Sequence, residues 1–244
     1  MDFLKKVKFF FAKWFFNSKW RCNVCGKEIF NNSYFCDDCR LNLPYVTGFT
    51  CEHCGRMTIV PEKYCYTCKG RLTSIDQGFS VFDYKKPISK LIKKFKYDNC
   101  KYLGDYFAEE LYYLYLKKCI CADVLVYVPT SKKTKRVREY NQSEILARRL
   151  SEMIQVPVSD CIIKAKETKR QAKLGREERL KNLKGAFKII NRKEIKGKRV
   201  VIIDDVTTTG STAEIIANIL KKAGASWVGL LTIASVSTVN MENI

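Results

Sequence analysis

The sequence contains a single histidine, His53, among its 244 residues. Nucleophilic catalysis by a Ser–His–Asp or Cys–His pair needs a histidine beside the nucleophile, and this one stands between two closely spaced cysteines. No run of eighteen apolar residues occurs, so we expect no segment to span a membrane. The first twenty residues lack the small-residue cleavage site of a secretion signal, so we expect a cytoplasmic protein.

Acidic residues are also scarce. The chain has 45 lysines and arginines against 25 aspartates and glutamates, which gives a formal net charge of +20. Such an excess favours polyanionic partners, namely nucleic acid, phosphorylated ligands or an anionic membrane surface. A generally lysine-rich proteome is an equally simple explanation. Apolar residues make up 46% of the chain, so we expect a folded protein with a substantial core.

Cysteine is abundant and unevenly placed. Eight of the twelve cysteines form four Cys-x-x-Cys pairs in two similar segments, CNVCGKEIFNNSYFCDDCR and CEHCGRMTIVPEKYCYTCKG. This spacing predicts a double zinc ribbon in which thiolates leave no open position for water, so the two Zn²⁺ ions are structural. Pairing in sequence order is simplest, and interleaved pairing is geometrically possible. In sequence order the ligands are Cys22, Cys25, Cys36 and Cys39 for one ion, and Cys51, Cys54, Cys65 and Cys68 for the other.

The pattern predicts three parts. Residues 1–20 form a basic amphipathic helix, which could lie on a membrane surface or pack against protein. Residues 21–70 are the zinc ribbons, and residues 71–244 alternate strands with helices, which indicates a mostly parallel sheet covered on both faces. Strands are predicted at 79–82, 124–129, 161–164, 186–190, 200–203 and 227–234, and helices at 87–98, 102–118, 141–154 and 211–223.

The stretch VVIIDDVTTTGST carries the clearest chemical signal. Asp204 and Asp205 follow a buried strand, and a loop then leads into a helix, at the edge where open parallel sheets bind ligands. Backbone amides and the helix N-terminus suit a phosphate, and Gly210 permits close approach. Hydroxyls line the same loop: Thr207, Thr208, Thr209, Ser211 and Thr212.

The two carboxylates would repel a phosphate, so they need another role. They can accept hydrogen bonds from a sugar diol, or attract Mg²⁺ that neutralises a pyrophosphate. Phosphate, diol and metal-bound pyrophosphate together describe phosphoribosyl pyrophosphate (PRPP). The loop lacks the lysine of a Walker motif and the three glycines of a dinucleotide-binding motif. The remaining alternative is an ordinary strand–turn–helix with a capping aspartate.

This stretch resembles the PRPP motif of type I phosphoribosyltransferases. The chain as a whole resembles the ComF family, which joins a zinc ribbon to a phosphoribosyltransferase domain and is linked to DNA uptake in competent bacteria. Three further segments carry the resemblance: LIKKFKYDN at 91–99, VPTSKKTKRVREYNQSEILA at 128–147 and TKRQAKLGREERLKNLKGAF at 168–187.

The resemblance implies roles for these segments. Asp204 and Asp205 become the catalytic candidates and hold the ribose hydroxyls, while Thr207–Thr212 hold the 5′-phosphate. Pro129, Thr130 and Ser131 become the pyrophosphate loop. Residues 168–184 become a mobile lid, and their polar, basic composition independently favours a lid.

Basic residues cluster after the pyrophosphate loop. Together with nearby Tyr97, Tyr102 and Tyr140 they could form a groove for single-stranded DNA, although a solvated face or a cationic funnel for PRPP fits the composition equally well. The family's link to DNA uptake favours DNA. The DNA-binding candidates are Lys132, Lys133, Lys135, Arg136 and Arg138.

Two functions follow. The first is PRPP binding combined with the handling of single-stranded DNA in competence. With this function we also expect contact with competence machinery at the inner face of the membrane, and membrane association as a second possibility for the location. The alternative is an active phosphoribosyltransferase in nucleobase salvage.

Overall fold

The computed structural model of the protein describes residues 20–30, 33–70, 73–166 and 185–237. The predicted lid at 168–184 lies outside these residues, and so does the predicted N-terminal helix apart from Trp20. The chain divides into two compact units, one ending at Leu43 and one beginning at Pro44. None of the helices in the described ranges has the length and apolarity needed to cross a bilayer.

The first unit holds the first zinc ribbon. Its knuckle turns at Gly26, where φ is 79°, and an antiparallel bridge joins Arg21 to Glu28. One short helix, α1 (Asp37–Leu41), begins directly after Cys36. Asp37 and Asp38 in its first turn interact favourably with the positive end of the helix dipole.

The second unit is built on a parallel sheet. Its four strands stand in the order β1-β6-β5-β2, and every neighbouring pair is parallel. A separate antiparallel pair is formed by β3 and β4. The strands are β1 (Gln77–Asp83), β2 (Val124–Tyr127), β3 (Ile162–Lys164), β4 (Phe187–Ile189), β5 (Arg199–Thr207) and β6 (Trp227–Ser235).

Within its described residues, the second unit has five helices. They are α2 (Ile88–Tyr97), α3 (Leu103–Lys117), α4 (Lys132–Arg138), α5 (Gln142–Ile154) and α6 (Ser211–Lys222). Ile216 of α6 packs in one core cluster with Val200 and Ile202 of β5. Val201 and Ile203 are equally buried on the other face of the sheet, which α3 and α5 contact. Continuous apolar strands are buried on both faces, as the sequence predicts.

The helices and strands predicted between residues 79 and 234 are confirmed with small shifts at their ends, and two differences matter. The helix α4 occupies a stretch for which neither a helix nor a strand was predicted, and Ser131 caps it by accepting a hydrogen bond from the Thr134 amide. The strand predicted at 200–203 continues to Thr207. It pairs with β2 only as far as Ile203 and with β6 over its full length. Asp204 therefore stands on a strand that projects past its neighbour.

Candidate functional site

The two aspartates lie at the carboxyl edge of the sheet, and α5 contributes to the same place. Asp204 Oδ1 accepts hydrogen bonds from Ser143 Oγ and from the Asp205 amide, both at 2.9 Å. Asn141 caps α5 by accepting from the Ser143 amide, and its own Nδ2 donates to Val128 O at 3.0 Å. The start of α5 is thus tied both to the acidic pair and to the loop that follows β2.

A lysine from α2 completes the acidic centre. Lys96 Nζ lies 2.9 Å from Asp205 Oδ1, and the two side chains are only 20% and 12% exposed. Burial opposes the charge on Lys96, but the neighbouring Asp205 and then Asp204 raise its pKa above the ordinary value. Removing either partner of such a partly buried ion pair destabilises the fold, because the other charge is left buried without a partner.

Asp204 titrates unusually. Its burial and the adjacent Asp205 raise its pKa to about 7, against the lowering effect of Lys96 and of the Ser143 hydrogen bond. Both the protonated and the ionised form of Asp204 are therefore populated near neutral pH. A cation or a diol that donates hydrogen bonds would favour the ionised form, which is the behaviour expected of a site for a sugar and a metal-bound phosphate.

The phosphate loop is the turn at Thr207–Thr212, which leads from β5 into α6. Gly210 stands directly before α6 with φ of 74°, a conformation that glycine adopts without strain. Thr209 and Ser211 share a hydroxyl–hydroxyl hydrogen bond of 2.9 Å. The first amides of α6 and the positive end of its dipole make this turn a place where an anion can bind.

The predicted pyrophosphate loop follows β2 at the same edge. Pro129 and Thr130 are partly exposed, whereas Ser131 is buried. Ser131 Oγ accepts from the Thr134 amide at 3.1 Å, so this side chain is engaged in capping α4. The groups of this loop that a ligand could contact are therefore its backbone and the partly exposed Thr130 side chain.

The DNA-binding candidates lie on α4, directly after this loop. Arg138 stacks on Tyr97, with Cζ 4.7 Å from the ring centroid, and Nη2 donates to the Tyr97 hydroxyl at 2.8 Å. Lys135 Nζ lies 3.7 Å from Glu144 Oε2, and Arg136 is exposed. The side chains of Lys132 and Lys133 are outside the described set.

The three aromatics expected to flank these cations differ in exposure. Tyr97 is 63% exposed, so its ring can stack on a base. Tyr140 is buried, and its hydroxyl donates to Phe95 O. The expectation that its ring faces a DNA groove is therefore wrong. Lys101 Nζ lies 4.9 Å from the Tyr140 ring centroid.

The eight paired cysteines form two clusters. Sulfur atoms of Cys22, Cys25, Cys36 and Cys39 lie within 4.8 Å of one another, as do those of Cys51, Cys54, Cys65 and Cys68. Pairing in sequence order is therefore confirmed, and interleaved pairing is wrong.

The sulfur spacing also fits the metal. The Cys25–Cys36 and Cys54–Cys65 distances are 3.8 and 3.7 Å, close to the edge of about 3.8 Å in a tetrahedron with Zn–S bonds of about 2.3 Å. The clusters fit two structural Zn²⁺ ions. His53 is not a ligand, because it stacks on Tyr64 and its Nδ1 lies 3.0 Å from Ile75 O.

Three residues of the site were not predicted: Lys96, Ser143 and Arg56, whose Nη2 donates to Thr208 O in the phosphate loop. Ser143 could have been found, because a polar Asn-Gln-Ser helix start after a strand end indicates the carboxyl edge. Lys96 lies among five other lysines at positions 85–94, and although it belongs to the segment LIKKFKYDN that carries the family resemblance, no local feature assigns it to the acidic centre. In the sequence alone, nothing separates Arg56 from the exposed basic residues of the ribbons.

Comparisons with known proteins agree with this architecture. Residues 141–241 match the phosphoribosyl transferase domain family, and residues 11–69 match the double zinc ribbon domain family. Competence protein F of Haemophilus influenzae is 31% identical over 222 residues, which is 86% of this chain and 93% of that protein. DNA utilization protein YhgH of Escherichia coli K12 is 30% identical over 219 residues, 85% of this chain and 86% of that protein.

Among solved structures, the glutamine PRPP amidotransferase from B. subtilis is 24% identical, with a TM-score of 0.36. The match covers 53% of this chain and 25% of that protein.

Proposed function

The chain belongs to the family of competence protein F and DNA utilization protein YhgH, and from that premise we propose that it binds PRPP at the carboxyl edge of its sheet and handles single-stranded DNA. The observation that supports PRPP binding best is that the acidic pair and the start of the phosphate loop lie within four consecutive residues, 204–207, at the projecting end of one strand. A ribose 5-phosphate carries its diol and its phosphate on one small molecule, so it requires receptors for both side by side.

Each part of the ligand has a group to receive it. The amides and hydroxyls of Thr207–Thr212 take the 5′-phosphate, and Asp204 and Asp205 accept hydrogen bonds from the ribose hydroxyls. The backbone of Pro129–Ser131 faces the pyrophosphate. Mg²⁺ would neutralise the pyrophosphate charge, and carboxylate oxygens are suitable ligands for it, directly or through water.

DNA binding is proposed on α4 and its neighbours. Lys135, Arg136 and Arg138 follow the pyrophosphate loop, and the exposed Tyr97 ring already stacks on Arg138. Cations that contact phosphates, together with an aromatic face that stacks on bases, bind single strands without sequence preference. We also propose a cytoplasmic location with contacts to competence machinery at the inner face of the membrane.

Catalytic transfer of the ribose is the second candidate function. In that reaction a base nitrogen bonds to the ribose C1 as the C1–O bond to pyrophosphate breaks. The electron pair of that bond leaves with pyrophosphate, and the proton of the base nitrogen passes to solvent. The acidic pair would stabilise the positive charge that develops on the ribose ring. The match to the phosphoribosyl transferase domain family favours testing this activity. A panel of nucleobases that releases no pyrophosphate from bound PRPP would reject it.

Isothermal titration with PRPP and Mg²⁺ tests the main proposal, and it should be repeated with an oligonucleotide present. We expect Asp204→Asn with Asp205→Asn to weaken PRPP binding at least about 100-fold, because two acceptors of the diol lose their charge. Asp123→Asn is the matched control, since Asp123 is exposed and precedes β2, at the end of the parallel sheet opposite the acidic pair. Equal affinities in all three proteins would reject the proposal.

A further inference from the structure

The two zinc ribbons are built alike but differ in one side chain. In each, the residue after the knuckle's glycine closes the turn: Cys22 N donates to Lys27 O at 2.8 Å, and Cys51 N donates to Arg56 O at 2.9 Å. The side chain of Lys27 is exposed, whereas Arg56 is fully buried at 0% exposure. The repeat itself therefore does not explain why Arg56 is buried.

The knuckle that carries Arg56 lies directly against the start of β1. The Gly78 amide donates to Glu52 O at 2.6 Å. A methyl group added at Gly55 would stand 2.5 Å from the backbone nitrogen of Phe79, so the two backbones touch with no room for a side chain. Arg56 therefore extends from a knuckle whose position relative to the sheet is fixed.

The buried guanidinium reaches the phosphate loop. Arg56 Nη2 donates to Thr208 O, 152 positions further along the chain. In a trans peptide the carbonyl of Thr208 and the amide of Thr209 point in opposite directions. Arg56 holds that carbonyl towards the protein interior, so it turns the Thr209 amide the other way, to the side on which the loop is partly exposed.

We propose that Arg56 is a positioning residue for the phosphate loop. Through it, the Cys51–Cys68 ribbon holds the loop in the conformation that binds a phosphate monoester, and its positive charge beneath the loop adds to the attraction for an anion. The second ribbon is then part of the ligand site and not only a folding aid. The identity of the ligand rests on the proposed function, whereas the role of Arg56 in holding the loop does not.

The test compares Arg56→Met and Arg56→Lys with Lys27→Met, which makes a like change at the equivalent position of the first ribbon. Three quantities are measured: zinc per chain, hydrogen exchange of the amides at Thr207–Thr212, and affinity for ribose 5-phosphate and for PRPP with Mg²⁺. Arg56→Met should keep two zinc ions, exchange its loop amides faster and bind both ligands about 10- to 100-fold more weakly. Arg56→Lys should recover part of the affinity, and Lys27→Met should match the wild type.

Two results would overturn the proposal. One is an Arg56→Met protein with unchanged loop exchange and unchanged affinity. The other is loss of zinc in both Arg56 variants, which would make Arg56 a residue required for ribbon folding alone. If the wild type binds neither ligand, the PRPP proposal fails, and the exchange of the loop amides still decides the role of Arg56.

Discussion

Removing the positive charge from the acidic centre should make the stability of this protein strongly dependent on pH. The perturbation is Lys96→Met, which keeps the length of the side chain and deletes the partner of Asp205 at 2.9 Å. Breaking a buried ion pair from one side typically destabilises a protein by about 3–5 kcal/mol, because the remaining charge stays buried. We expect a loss at every pH, because the pair with Asp205 is always broken, and a larger loss where Asp204 is ionised as well.

The sign of the pH dependence follows from Asp204. Its folded pKa of about 7 lies above its unfolded value, so between these values the folded state binds more protons and stability falls as pH rises. Lys96 lowers that pKa, so its removal raises it further and extends the fall above pH 7. The loss caused by Lys96→Met should therefore be about 3 kcal/mol at pH 5, where the Asp205 pair alone is broken, and about 5 kcal/mol at pH 8 to 9, where Asp204 adds a second uncompensated charge.

Urea unfolding from pH 5 to pH 9 measures these differences. The control is Lys101→Met, because Lys101 is half exposed and its carboxylate partner Glu139 lies 3.9 Å away, so the change should be below about 0.5 kcal/mol at every pH. A loss from Lys96→Met that is the same at pH 5 and pH 9 would refute the assignment of a raised Asp204 pKa. No loss at all would refute the buried ion pair.

Two further predictions concern α4. Glu139 ends this helix in the left-handed conformation, with φ of 64°, so Glu139→Gly should raise the free energy of unfolding by about 1 kcal/mol. Glu152→Gly, inside α5, should lower the free energy of unfolding by a similar amount. Equal effects of the two substitutions in urea unfolding would contradict this. Neutralising Lys135 and Arg136 together should weaken binding to single-stranded DNA and reduce the slope of log affinity against log salt by about 1.4. Fluorescence titrations at several salt concentrations measure this slope. An unchanged slope would show that α4 does not contact DNA.

Much of the fold could be predicted because its strands are apolar over their full length. Val200–Ile203 signals a strand buried on both faces, and strands that alternate with capped helices then imply a parallel sheet. The helix α4 was missed because its sequence, KKTKRVR, has almost no apolar periodicity. It forms because Ser131 caps it and because Arg138 is held by Tyr97.

The acidic pair and the phosphate loop could be predicted because their residues are consecutive. Their supporting contacts could not, since each joins distant segments: Lys96 is 109 positions from Asp205, and Arg56 is 152 from Thr208. A lysine and an arginine are ordinary surface residues by composition. Only the tertiary placement of α2 and of the second ribbon buries them, and such placement has no local signature.

A crystal structure of the protein with PRPP and Mg²⁺ tests the central claim most directly. We expect the 5′-phosphate on the amides of Thr209–Thr212 and the ribose diol within hydrogen-bond distance of Asp204 and Asp205, with Lys96 still close to the acidic pair. An empty loop whose amides point away from the carboxyl edge, in crystals where PRPP is bound elsewhere or absent, would contradict it.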